Sequence, residues 1–187
     1  MNSVRIIGGA WRRRALRFPD AGGLRPTPDR VRETLFNWLG QDLSGRSCLD
    51  LFAGSGALGF EAASRGASRV VMVERSDETA AALRANAEAL EVGKRVEIVR
   101  ADAVKFASSR GANAPRFDVL FLDPPYNQGW LGRLAPMLPR LLADDGIMYV
   151  EAETALDVCG QWHTERSGRA GRVFYHLMRN GESDGAQ

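Results

Sequence analysis

Lysine is almost missing from this chain: Lys94 and Lys105 stand against 23 arginines. Nearly every cation is therefore a guanidinium, the group suited to bidentate phosphate contacts and to stacking on bases. A genome rich in G and C gives the same ratio without any functional reason, so clustering rather than number carries the argument. Cysteine is scarce too. Cys48 and Cys159 have neither metal-ligand spacing nor the density of a disulfide framework, which fits a reducing cytosol and no bound metal. No apolar run approaches the roughly 18 residues of a membrane span, and the start Met-Asn-Ser-Val-Arg lacks a signal-peptide core. Internal repeats and low-complexity tracts are absent. What remains is a chain of 187 residues, 44% hydrophobic and 26% charged, sized for one core and one domain.

Charge is spread unevenly. The net balance is only +2, yet residues 1–46 hold nine arginines against four acids. Val4 to Gly9 and Arg12 to Phe18 read as two short strands joined around glycines, with Arg12, Arg13 and Arg14 in a row. Arg25-Pro-Thr-Pro-Asp-Arg-Val-Arg-Glu33 follows, with Thr27 as N-cap, Pro28 at the first helical position and Asp29 in the first turn. Val31, Leu35, Trp38 and Leu39 then share one helical face, flanked by Arg30 and Arg32. Hairpin and helix together can present a basic surface; a solvated face is the plain alternative.

From Ser47 onward strand and helix patterns alternate, the signature of an α/β fold with a mainly parallel sheet. Strands are expected at Cys48–Ala53, Val70–Glu74, Val96–Val99, Phe117–Leu122 and Gly146–Glu151. Helices are expected from the glycine loop to about Arg65, at Asp77–Leu90 and around Leu131–Leu142. Gln161–Arg166 and Arg172–Met178 close the sheet as an antiparallel hairpin, giving seven strands in a doubly wound order. Gly181 to Gln187 reads as a loose tail.

The chemistry gathers at strand ends. Phe117-Asp-Val-Leu-Phe-Leu122 is a buried strand running into Asp123-Pro124-Pro125-Tyr126, and ligands collect at the carboxyl ends of such strands. An exocyclic amino group on a planar ring is a poor nucleophile because its lone pair is delocalised. Asp123 and the Pro124 carbonyl can accept from its two protons, and Tyr126 offers a flat face for a base. A Pro-Pro pair that merely ends a strand is the alternative. Gly54-x-Gly56-x-x-Gly59 matches the dinucleotide fingerprint, and Glu74 lies 18 residues after Gly56, where a carboxylate can accept from both ribose hydroxyls. Asp50 inside the preceding strand can answer a cationic amino group. Asp102 can accept from an adenine amino group while the Ala103 N–H donates to the ring. No tyrosine has lysine four residues later, so the proton-donor pair of short-chain dehydrogenases is missing. S-adenosylmethionine fits better than a nicotinamide cofactor.

Leu49-Asp50-Leu51-Phe52-Ala53-Gly54-Ser55-Gly56, Glu74, Asp102 and Asp123-Pro-Pro-Tyr126 resemble the motifs of class I amino-methyltransferases. The block from Arg25 to Glu33, with Ile6-Ile7-Gly8-Gly9 upstream, is similar to the RsmD family of bacterial small-subunit ribosomal RNA methyltransferases. The resemblance runs from about Val4 to about Met178. It implies a Rossmann-like methyltransferase domain with a hairpin-helix extension over residues 1–46 and a core over 47–180. It implies S-adenosylmethionine held by Asp50, Phe52, Gly54, Ser55, Gly56, Glu74, Asp102 and Ala103, and catalysis by Asp123, Pro124 and Tyr126. Arg12, Arg14, Arg25, Arg30 and Arg32 would contact RNA. The implied acceptor is the N2 of guanine 966 in 16S ribosomal RNA, free or in an assembling small subunit, with the enzyme a cytoplasmic monomer. Arg13 stands where relatives are expected to have glycine. Other readings are an amino-methyltransferase acting on another base of DNA or RNA, or a non-catalytic RNA-binding assembly factor. A nicotinamide enzyme ranks third.

Overall fold

The chain opens with an antiparallel hairpin of β1 (Asn2–Arg5) and β2 (Ala15–Phe18), followed by α1 (Asp29–Leu39), in a computed structural model that describes residues 1–21 and 24–181. Beyond Gly181, the expected tail lies outside the described residues. Val4, Ile6, Leu16 and Phe18 turn inward and join the main core, so the hairpin is packed against the body rather than free of it. Helix α1 begins one residue later than the sequence suggests: Pro28, not Thr27, occupies the cap position, and no side chain caps the helix. The Thr27 hydroxyl is engaged elsewhere, on Glu151.

The elements then alternate as β3 (Ser47–Asp50), α2 (Ala57–Ser64), β4 (Arg69–Glu74), α3 (Asp77–Ala89), β5 (Val96–Arg100), α4 (Ala103–Ser109) and β6 (Phe117–Leu122). Strand β3 is shorter than the expected Cys48–Ala53, because the chain leaves the ladder after Asp50 to enter the glycine loop. The expected helix around Leu131–Leu142 is broken into α5 (Trp130–Leu134), a tight turn (Ala135–Met137) and α6 (Leu138–Leu141). Pro136 and Pro139 explain the break, since neither has an N–H to extend a helix. Next come β7 (Leu142–Ala152), β8 (Val158–Cys159), β9 (Trp162–Ala170) and β10 (Val173–Asn180).

The main sheet has the order β5-β4-β3-β6-β7-β10-β9-β8. It has eight strands rather than the expected seven; the extra one is the two-residue β8, which pairs with β9. Pairings among β3 to β7 are parallel, and β8, β9 and β10 join antiparallel. Successive residues of the parallel strands enter opposite cores, as period two demands. Cys48, Val70, Met72, Val119 and Phe121 pack with residues of α1, α2 and α3. Leu49, Val71, Val73, Leu120 and Leu122 pack with residues of α4, α5 and α6. Strand order reverses between β3 and β6, so the crevice for a ligand opens beyond their carboxyl ends.

Candidate active site

Three loops meet at that crevice because β3, β4 and β6 end side by side. A cavity of about 850 Å³ is lined by Asp50, the glycine loop, Glu74, Asp102, Asp123 to Tyr126 and Glu151, and also by Arg25, Trp130 and Arg172. The glycine loop is built for close approach. Gly54 and Gly56 take left-handed φ values of +51° and +80°, and a Cβ on Gly56 would meet Phe60 and Leu83 at 2.6 and 2.7 Å. Only glycine satisfies both demands. The Ser55 hydroxyl accepts from the Ala57 N–H at 3.3 Å, at the start of α2.

Polar groups around the loop are held in place by backbone donors. Glu74 accepts from the Gly54 N–H at 3.0 Å through one oxygen and from the Ser76 N–H at 2.8 Å through the other. Its carboxylate is thus oriented, with lone pairs left for two hydroxyls. Asp102 caps α4: its Oδ1 accepts from Val104 and Lys105, a role the sequence reading did not foresee. The Phe52 ring packs edge-on against Trp130, with centroids 5.2 Å apart. Asp50 is buried, and its Oδ1 has no hydrogen-bond partner among the described residues. Burial lifts its carboxyl to about 7, and the Phe52 and Gly59 N–H groups only partly oppose this. An unpartnered acidic oxygen beside the glycine loop suits a cationic group on a ligand.

Asp123 follows β6 directly. Burial first, then the neighbouring Glu151 and Asp50 carboxyls, push its carboxyl well above the ordinary carboxylate range. Among the described residues no hydrogen bond ends on the Pro124 carbonyl. Tyr126 is 40% exposed at the mouth, where burial and Asp123 raise its phenol to about 12. Asn127 takes a left-handed φ of 60° and donates from its N–H to Glu153 at 2.6 Å, tying the loop to the end of β7.

The five arginines separate. Arg25 lines the cavity, and Arg30 is exposed at the start of α1. Arg12 and Arg14 are exposed but remote. Their loop is held by Ser64 at the end of α2, through the Ala10 and Trp11 N–H groups, and Arg14 donates to the Ala89 carbonyl at the end of α3. Those ends lie ~12 and ~20 Å along their helices from the glycine-loop side. Arg32 overturns its assignment as an RNA contact. It is fully buried, donating to the Thr27 and Arg5 carbonyls and paired with Asp29 and Glu61. The spacing signal was present: Arg32, Leu35, Phe36 and Leu39 lie at i, i+3, i+4 and i+7, the buried face of α1.

Glu151, Trp130 and Arg172 were missed. Glu151 had a readable signal, a carboxylate ending a buried apolar strand just as Asp123 does. Arg172, at the β9–β10 turn, had none, because folding alone brings it into the lining of the same cavity as Arg25.

A family model described as Conserved hypothetical protein 95 matches residues 4–179. The chain is 41% identical to Ribosomal RNA small subunit methyltransferase D of Escherichia coli, over 97% of this chain and 93% of the relative. Identity to the Haemophilus influenzae protein of the same name is 39%, over 95% and 94%. A solved structure described as a putative methyltransferase from Escherichia coli superposes with a TM-score of 0.85 at 40% identity, covering 96% of this chain and 98% of that one. This chain belongs to the family so matched, the RsmD family of methyltransferases.

Proposed function

We propose that this protein transfers a methyl group from S-adenosylmethionine to the exocyclic N2 of a guanine in 16S ribosomal RNA. Methylation of small-subunit ribosomal RNA follows from the family and from relatives so named over nearly their whole length. The observation that carries the choice of an amino group is Asp123 with the unengaged Pro124 carbonyl, two acceptors at the floor of a cavity with Tyr126 at its mouth.

When bound, S-adenosylmethionine supplies an electrophilic methyl group on a sulfonium. Glu74 would accept from the ribose hydroxyls, Asp102 and the Ala103 N–H would read the adenine, and Asp50 would face the methionine ammonium. Gly54, Ser55 and Gly56 let the backbone approach, with Phe52 against the adenosine. Asp123 and Pro124 hold the two amino protons, which turns the nitrogen lone pair out of conjugation and towards the methyl group. Tyr126 stacks the base once it leaves its own stack. Fixed acceptors in a largely dry pocket stabilise positive charge arriving on nitrogen better than mobile water does. Arg25 and Arg172, which line the cavity, and Arg30 at the start of α1 would contact phosphate near this pocket; Arg12 and Arg14 would meet RNA further out.

Labelled methyl incorporation into unmodified small-subunit particles and into free 16S RNA, followed by nucleoside analysis, tests the proposal. N2-methylguanosine is the expected product. A different methylated nucleoside would move the target, and no product despite donor binding would favour the assembly factor.

A further inference from the structure

Glu151 is 5% exposed, and one of its oxygens, Oε1, accepts two hydroxyl hydrogen bonds, from Thr27 and from Tyr149, each 2.8 Å. Those partners come from separate places, Thr27 from the segment before α1 and Tyr149 from β7 itself. Strands β6 and β7 pair in parallel with Leu122 opposite Val150, so the next residues, Asp123 and Glu151, emerge side by side. Adjacent strands lie about 4.8 Å apart, close enough for two carboxyl groups to touch. Burial and the adjacent Glu151 carboxyl both push the Asp123 carboxyl well above the ordinary carboxylate range. Two carboxyl groups sharing a buried site hold one proton between them.

The surroundings decide where it rests. Asp50 from β3, Glu74 from β4, Asp102 beyond β5 and Glu153 beyond β7 are the other carboxyl groups around the pair. The phenols of Tyr126 and Tyr149 are pushed up by burial and stay neutral. Arg25, Arg75 and Arg172 are the cations lining the cavity among the described residues, and all three are exposed. Asp50, Asp123 and Glu151 do not form a metal-ligand set. Like charges so placed do not all ionise. Burial pushes the Asp123 carboxyl up, so in the resting protein the proton sits there.

We propose that Asp123 and Glu151 form a proton-sharing carboxyl pair, in which Glu151 is a positioning residue that receives the Asp123 proton as the amino group is methylated. This rests on the amino-methyl transfer proposed above. In the step, the N–CH3 bond forms as the S–CH3 bond breaks, and sulfur keeps the bonding electrons. As positive charge grows on nitrogen, Asp123 passes its proton to Glu151. The freed Asp123 carboxylate then takes one amino proton, whose bonding pair remains on nitrogen. The product amine is neutral, the pair holds two protons, and one returns to water on release.

The test combines carbon NMR titration of carboxyl-labelled Asp and Glu in the ligand-free protein with steady-state kinetics. In the wild-type protein Asp123 and Glu151 should titrate together in two separated steps. Glu151→Gln should collapse these to one, with the Asp123 midpoint lower by about one pH unit or more. The same variant should lose about tenfold or more in kcat, with KM and donor affinity within about threefold. An unchanged Asp123 midpoint, or an unchanged kcat, overturns the proposal. Should Glu151→Gln not fold, Asp123→Asn reads the same collapse from the Glu151 side, and two titration steps that survive it overturn the pair. The titration needs no RNA. A coupled pair in a protein that makes no N2-methylguanosine would sink the amino-methyl reading and leave the pair standing.

Discussion

The buried ionic cluster around Glu61 and the one around Asp123 are built on opposite principles. Around Glu61, in the middle of α2, every demand is met. Its oxygens accept from the Ile7 and Gly8 N–H groups at 2.9 and 2.8 Å, from Arg65 at 2.9 Å and from Arg32 at 3.3 Å. Arg65 also reaches Gln41, and Arg32 reaches Asp29 and two carbonyls. Around Asp123, three acids crowd together with hydroxyls for partners and one oxygen unpartnered. Burying charge is costly in both places, but only the first cluster compensates it internally. The closed cluster fastens the N-terminal segment to α2; under the proposed function, the open one has its balance completed by a cationic ligand and a reacting amino group.

Breaking the closed cluster should have the largest effect. Glu61→Ala strands two buried guanidinium groups and two backbone donors, and we expect a loss of about 3–5 kcal/mol in urea unfolding. A loss under about 1 kcal/mol would mean that the cluster is not the fastening.

The open cluster should behave in the reverse sense. Asp50 holds its proton to about pH 7 in the folded chain, against an ordinary value of 3.8. Its stabilising contribution is therefore complete below about pH 4 and is lost as pH rises to about 7, on the order of 4 kcal/mol. Asp50→Asn should flatten that part of the stability-against-pH curve of the ligand-free protein while weakening donor binding. A curve that keeps its wild-type slope would show that Asp50 is not strained.

The arginines sharpen the comparison further. Arg25→Gln should reduce the salt slope of RNA binding by close to one and raise KM. Arg32→Lys should destabilise the fold without moving that slope, because Arg32 belongs to the closed cluster. Should neutralising Arg12 and Arg14 together leave the slope unchanged, the hairpin is only a solvated face. The smallest effect concerns Arg13, whose φ of 69° is the reason glycine suits that position. Arg13→Gly should stabilise by about 1 kcal/mol or less, read from thermal unfolding.

Much of this was readable because it is local. The alternation at Cys48, Leu49 and Leu51, the glycine loop and Asp123-Pro-Pro-Tyr126 each carry their geometry within a few residues. Glu151 was half readable: it ends a buried apolar strand as Asp123 does, but its tie to Thr27, 124 residues away along the chain, is made only by folding. Thr27 itself misled, since a threonine before Pro-Asp has the form of a cap. Arg30 and Arg32 look equivalent as letters, yet roughly half a turn of α1 separates them and buries the second against Glu61.

The most direct test of the open cluster as the catalytic centre is to compare single-turnover methyl transfer with donor affinity in Asp123→Ala. We expect the rate to fall about a hundredfold or more while the dissociation constant for S-adenosylmethionine stays within about threefold. Equal losses in both would contradict the account, making Asp123 part of the donor pocket rather than the group that holds the reacting nitrogen.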